Sequence, residues 1–320
     1  MTDGCGREIT YLRLSVTDRC QLRCRYCMPE EGVEPLAHSD ILSYEEMLRI
    51  ARVMAGLGVK KVRVTGGEPL VRRGLPLLIA GLKETPGIAA AALTTNGLAL
   101  ADELPSLLDA GLDAVNISID TVDEGIFEAV TRRSGVARVI EGIDAARGCA
   151  GLKVKLNCVP TQDNRAGLAQ LALFAAEKGL PLRFIELMPI GCGKNVRGLR
   201  EDETMAVLKA ALGEPKARAQ DANEKTTYFD FPGGVSAGFI SPISRPFCAR
   251  CDRIRLTAEG RLKTCLQYDD GADLRALLSG TDEALAEAIK NAVAAKPAGH
   301  HFGGGSAPDD ETRAMWQIGG

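Results

Sequence analysis

The sequence predicts an α/β fold in which six β-α units in succession build a partial (β/α)6 barrel, followed by a smaller C-terminal α+β module. Three observations carry this. Short apolar runs rich in strand formers alternate with amphipathic segments from about residue 10 to residue 215, the pattern of a parallel sheet. Polar clusters follow nearly every run: the loop at 19–28, Gly66–Glu68, Thr95-Asn96, Ser118 to Asp120, Asn157 and Met188. Sites assembled from many strand C-termini are the habit of barrels, whereas a doubly wound sheet gathers them at one switch point. Beyond residue 215 the pattern changes to short antiparallel strands and turns.

The expected strands are 12–16, 61–65, 90–95, 114–118, 153–159 and 183–187. Ser43, with Glu46 three residues on, forms a capping-box signature that opens a helix through Leu57, which Gly58 stops. Further helices are expected at 76–84, 102–109, 136–147, 164–178 and 204–212. In the module, strands 228–231 and 235–240 flank Pro232-Gly233-Gly234, and a hairpin pairs 254–257 with 262–265 around Gly260. Helices at 273–278 and 282–293 precede a Gly- and Pro-rich tail. The division is therefore 1–215 for the barrel and 216–320 for the module.

The 320 residues carry a net charge of −3 with 25% charged and 45% apolar side chains, which gives no global basic field for nucleic acid. No apolar run reaches membrane-spanning length, and the polar start lacks a signal-peptide core, so the expected location is the cytoplasm. Ten cysteines in a chain this long without a signal point to metal rather than disulfides.

Those cysteines cluster. Cys20, Cys24 and Cys27 are spaced C-x3-C-x2-C with no fourth ligand nearby. Three thiolates hold three irons of a 4Fe–4S cubane and leave one iron open, whereas a structural zinc site wants four closed ligands. Cys248, Cys251 and Cys265 again offer three thiols, the third returned by the hairpin. A zinc knot borrowing a fourth ligand, or a four-thiolate site joining Cys24, Cys27, Cys248 and Cys251, are the alternatives. The latter strands Cys20 and Cys265.

The first motif, with Tyr26 before its last cysteine, resembles the radical S-adenosylmethionine (SAM) signature. Cys251-Asp252-Arg253-Ile254-Arg255-Leu256-Thr257, Leu262-Lys263-Thr264-Cys265-Leu266 and the terminal Gln317-Ile318-Gly319-Gly320 resemble the molybdenum cofactor biosynthesis protein A family of GTP 3′,8-cyclases. So do Leu14 to Cys20, Thr65 to Leu70, Thr94 to Gly97, Arg183 to Glu186 and Lys296-Pro297, nearly end to end.

The resemblance implies two 4Fe–4S clusters at opposite ends of a cavity, one cleaving SAM to a deoxyadenosyl radical, the other gripping GTP. The radical takes the ribose C3′ hydrogen and the sugar radical attacks guanine C8. By the same resemblance Tyr26, Gly66, Gly67, Glu68, Thr94, Ser118 and Met188 contact SAM, and Gly319 and Gly320 reach into the active site. An external one-electron reductant, hand-off of product to cyclic pyranopterin monophosphate synthase, and a homodimer are the other expected partners.

GTP carries roughly four negative charges and wants several cations, preferably bidentate arginine. No G-x4-G-K-[ST] loop occurs, so side chains must meet the phosphates. Arg13, Lys61, Arg63, Lys155 and Arg183 fall on predicted strands, and Arg253 and Arg255 share one side of the hairpin. Buried cations are costly unless they meet an anion, and pairing with Glu68 or Glu186 is the structural alternative. Arg253, Arg255, Gly319 and Gly320 are the expected catalytic supports. Cys158 reads as core, while Cys5, Cys149 and Cys192 match no ligand position, and His300 and His301 read as part of a mobile tail. Two other functions stay open: a radical SAM enzyme acting on a peptide, and a non-catalytic iron–sulfur or zinc protein.

Overall fold

The computed structural model describes residues 1–219, 224–302 and 310–319. Six parallel strands run in order: β1 (Tyr11–Ser15), β2 (Lys61–Thr65), β3 (Ala90–Thr95), β4 (Ala114–Ser118), β5 (Lys153–Cys158) and β6 (Leu182–Ile185). Between them lie α1 (Tyr44–Gly56), α2 (Leu75–Glu84), α3 (Leu100–Asp109), α4 (Glu124–Thr131), α5 (Val136–Arg147) and α6 (Leu168–Glu177). Ser43 caps α1 as its spacing predicts: its hydroxyl accepts from Glu46 N at 3.2 Å, and Glu46 Oε2 accepts from Ser43 N at 2.7 Å.

After α7 (Glu201–Leu212) come β7 (Lys216–Ala217), β8 (Thr227–Asp230), β9 (Ser236–Ile240), β10 (Arg253–Leu256), β11 (Arg261–Lys263) and β12 (Ala272–Asp273). These strands form no sheet of their own. β9 adds parallel to β6 and β10 adds parallel to β1, giving one twelve-stranded order, β12-β11-β10-β1-β2-β3-β4-β5-β6-β9-β8-β7. The chain closes with α8 (Asp282–Ala294) and the short α9 (Met315–Ile318).

The helix expected at 273–278 does not form. Asp273 pairs with Arg261 in the β11–β12 ladder and Leu274 N bonds Gly260 O, leaving only a 3-10 turn at Arg275–Leu277. In the other direction, α4 is a helix the pattern missed, capped where Asp123 accepts from Ile126 N at 2.8 Å.

The two faces of the sheet differ completely. Leu12, Leu14, Val62, Val64, Leu93, Val115, Ile117, Leu156, Phe184, Phe239, Ile254 and Leu256 are buried on the side that packs against the helices. Alternate residues place the polar side chains on the other face. The sheet is strongly rolled: β1 and β6 are five strand spacings apart, roughly 24 Å if flat. Yet Arg183 on β6 lies within electrostatic reach of Tyr11 and Arg63 on β1 and β2. Among the described residues, no helix is long and apolar enough to cross a membrane.

Candidate active site

Strand register sets the cations in rows. Arg253, Tyr11 and Lys61 lie side by side across β10, β1 and β2, and one pleat further along lie Arg255, Arg13 and Arg63. Lys155, beside Asn116, and Arg183, beside Asn157, continue the same face on β5 and β6. Glu68 and Glu186 pair with none of them. The Glu68 carboxylate accepts from Thr95 Oγ1, Asn96 N and Leu70 N, and Glu186 is taken by Ile243 N, Ser244 N and the Ser244 hydroxyl. The salt-bridge alternative therefore fails on both carboxylates.

Tyr11 holds the rows together. Its hydroxyl accepts from Arg63 Nε at 2.6 Å, and Lys61 and Arg253 lie over its ring at 5.0 and 5.8 Å. Burial raises the phenol's pKa, but Arg63, Arg13, Arg253 and Lys61 outweigh it and bring it down to about 7. Burial likewise pulls Arg13 and Arg183 down to about 10 and Arg255 well below the guanidinium range, with neighbouring cations adding to the effect. Arg253 Nε is buried with no partner. A face that destabilises its own charges in this way is complementary to a polyanion.

Cys20, Cys24 and Cys27 leave the C-terminal end of β1. Their loop is tied to α4 by Arg23 N to Thr131 O at 2.9 Å and Arg25 N to Val130 O at 3.0 Å. It is also zipped to the β2 loop by Gly67 N to Thr17 O and Glu68 N to Arg19 O, both 2.8 Å. A Cβ on Gly67 would lie 2.4 Å from Arg19 O, and one on Gly66 would lie 2.7 Å from Thr17 O. These glycines thus serve the close approach of two backbones within the protein. Burial pushes the Cys20 thiol up to about 11 and the Cys27 thiol up to about 12, and Cys24 well above its ordinary value, with neighbouring thiols adding to the shifts on Cys24 and Cys27.

Around this loop lie the other expected SAM contacts. Tyr26 OH donates to Asp120 Oδ2 at 2.6 Å. Thr94 Oγ1 is buried on the polar face with no partner. Ser118 is exposed at the end of β4, and Met188 follows β6, where its carbonyl accepts from Ile190 N. Glu68 is fully engaged in bracing the β2 loop against β3, and burial raises its pKa to about 7.

The second thiol set lies at the other end of the strands. Because β10 runs parallel to β1, Cys251, just before it, is level with the start of β1; β11 runs back antiparallel and returns Cys265 to that same end. The two sets are separated by at least the length of β1, roughly 13 Å, with the cation rows between them. His300, expected in a mobile tail, lies against Cys248 and lowers that thiol's pKa. His301 Nδ1 is 2.8 Å from Tyr268 OH.

Among the described residues no three His, Cys, Asp or Glu side chains converge as a single-ion site. A cubane spreads its ligand sulfurs wider than one ion does, so two separated sets of three thiols fit clusters better than zinc. The four-thiolate site joining both loops is ruled out by their placement at opposite ends.

The C-terminal segment crosses this space. Gly319 O accepts from Arg255 Nη1, and a Cβ on Gly319 would lie 2.9 Å from Thr65 Oγ1 and 3.1 Å from Ser15 Cβ. A Trp316 backbone hydrogen bond reaches the Cys27 sulfur. Gly320 lies outside the described residues. Sequence reasoning missed Tyr11 and His300, and named Asp120 only within a strand-end polar cluster, without its bond to Tyr26. Tyr11 alternates with Arg13 on one strand and had a signal in that spacing; His300 had none.

The Radical SAM superfamily model matches residues 14–166 and the Molybdenum Cofactor Synthesis C model matches residues 180–302. GTP 3′,8-cyclases of Moorella thermoacetica and Heliobacterium modesticaldum are 42% and 43% identical, each aligned over 100% of both chains. The chain belongs to the GTP 3′,8-cyclase family. A solved structure of Streptococcus suis SuiB bound to S-adenosylmethionine shares the family's barrel, with a TM-score of 0.59 at 15% identity over 90% of this chain and 67% of SuiB. That likeness is one of fold.

Proposed function

We infer that the protein is a radical SAM GTP 3′,8-cyclase that converts GTP to (8S)-3′,8-cyclo-7,8-dihydroguanosine 5′-triphosphate in molybdenum cofactor biosynthesis. The single observation that carries the reading is the pair of cation rows between two three-thiol loops at opposite ends of β1. Cys20, Cys24 and Cys27 would hold one 4Fe–4S cluster and Cys248, Cys251 and Cys265 the other. When bound, the first cluster and SAM supply a deoxyadenosyl radical, and the second supplies an open iron for the guanine.

The chain's own residues handle binding and orientation. Arg13, Lys61, Arg63, Lys155, Arg183, Arg253 and Arg255 neutralise the triphosphate, and their fixed register sets the distance from phosphates to ribose. Thr94, whose hydroxyl is buried without a partner, and Ser118, Met188, Tyr26 and the Gly66–Glu68 loop would surround SAM. Gly319 reaches the cation rows through Arg255. The roll of the sheet brings β6 within reach of β1 and β2 around the polar face, which would limit water around a reactive radical. An external one-electron reductant, product transfer to cyclic pyranopterin monophosphate synthase, a cytoplasmic location and a homodimer complete the reading.

The test is anaerobic incubation of reconstituted protein with SAM, reductant and GTP. Expected are deoxyadenosine and the cyclised triphosphate in equal amounts. Deoxyadenosine that GTP does not stimulate, with GTP recovered intact, would overturn the reading in favour of another substrate such as a peptide.

A further inference from the structure

Lys263 extends the second cation row by one strand. It pairs in register with Arg255 across β10 and β11, so the row reads Lys263, Arg255, Arg13, Arg63. Its own partner is a carboxylate from the C-terminal segment. Lys263 and Glu311 form an ion pair with side chains 0% and 1% exposed. Lys263 Nζ also donates to Tyr268 O and lies 4.0 Å from Asp270 Oδ1.

Glu311 stands at the start of the segment that ends in Gly319, and the contacts run on from it in alternating sign. Arg313 Nε donates to Glu311 Oε1 at 3.0 Å and its Nη2 meets Asp269, which Arg261 meets at 3.0 Å. Glu311 N bonds Gln267 O, and Gln267 Nε2 donates to Asp310 Oδ1 at 3.0 Å. The tail is thereby fastened to the loop that carries Cys265. From this point Ala314 packs on Gly191 and Gly319 O arrives at Arg255, the next cation along the row from Lys263.

We propose that the buried Lys263–Glu311 pair is the anchor that fixes the C-terminal tail across the site, making Lys263 a positioning residue for Gly319. A buried ion pair stabilises little against an apolar pair of the same shape, but breaking one partner leaves the other charge buried and uncompensated. Such a pair specifies where two segments meet, and here it specifies the register of the tail on the row. Neutralising the row's end cation also leaves Arg255 as the first cation open to a backbone carbonyl. The tail's part in turnover rests on the function proposed above; the anchoring does not.

The experiment therefore uses reconstituted protein without SAM or GTP. Hydrogen exchange is followed in peptides spanning 310–319 and, as the internal reference, in those covering β3. Trp316 is the single tryptophan of the chain and is 8% exposed, so acrylamide quenching reports tail docking independently. Lys263→Met and Glu311→Gln are expected to speed exchange in the tail roughly tenfold or more and to open Trp316 to quencher, with β3 protection unchanged. Should Lys263→Met fail to fold, Glu311→Gln, outside the sheet, gives the same readout. A folded variant with native tail protection, or equal loosening of tail and β3, would overturn the proposal.

Discussion

Cys20, Cys24 and Cys27 are gripped by their barrel neighbours, whereas Cys248, Cys251 and Cys265 are gripped by both ends of the chain. The first loop is bonded to α4 and the β2 loop. At the second, the buried Arg7 guanidinium donates to Cys248 O at 2.8 Å, Ala298 O at 2.9 Å and Pro297 O at 2.7 Å, and is itself held by Asp3. Lys296 Nζ reaches Arg253 O and Thr264 O, next to Cys265. Burial raises all three thiols of the first set and Cys265 of the second, while His300 lowers Cys248. The first site is braced by the barrel, and a metal must displace the protons that burial favours on its thiols. The second exists only once distant segments have met.

Four experiments sharpen this contrast. Cys24→Ser should abolish reductive SAM cleavage while leaving the second set's iron, so that iron content falls by about half; retained cleavage would remove Cys24 from the ligand set. Arg7→Ala should also cut iron by about half, but from the second set, leaving deoxyadenosine formation without stimulation by GTP. Equal loss from both sites would show that the two loops are not independently held.

Between the sites, Arg253→Met should weaken GTP binding by about 1.5–3 kcal/mol, roughly tenfold to a hundredfold, as expected for loss of charge-assisted hydrogen bonds. Titration calorimetry with unaltered affinity would take Arg253 out of the phosphate site.

The smallest effect concerns Tyr11. Its folded pKa of about 7 lies below the ordinary phenol value of 10.0, so its phenolate contributes stability fully above pH 10 and loses it as pH falls through about 7. A bound triphosphate takes over the same cations and returns the proton to Tyr11. GTP affinity should therefore weaken as pH rises above 7, by at most about tenfold per unit for one linked proton. Tyr11→Phe should flatten that dependence between pH 6 and 8, and an unchanged slope would assign it to other groups.

Most of the barrel was legible because β-α alternation is local and strong: β2, β3, β4 and α5 have the bounds the sequence predicts. The thiol sets were legible from spacing, and the shared face of Lys61 with Arg63 and of Arg253 with Arg255 from the period of two. Partner choice was not. Nothing local tells β10 to lie beside β1, or Glu68 to spend its carboxylate on Thr95 and Asn96 instead of a cation. His300 and His301 were misread as mobile because Gly- and Pro-rich composition describes the chain's freedom, and not the contacts to Cys248 and Tyr268 that hold them.

The pairing of β10 with β1 has a consequence for biogenesis. Tyr11 meets Arg253, so β1 leaves the ribosome about 240 residues before the strand that covers its outer edge. Until then the nascent polypeptide exposes an unsatisfied row of amides and carbonyls, a template for wrong partners. The same wait keeps one wall of the vessel missing while the earlier thiols are already in place, which orders metal delivery: the first cubane can be loaded before the second has a home.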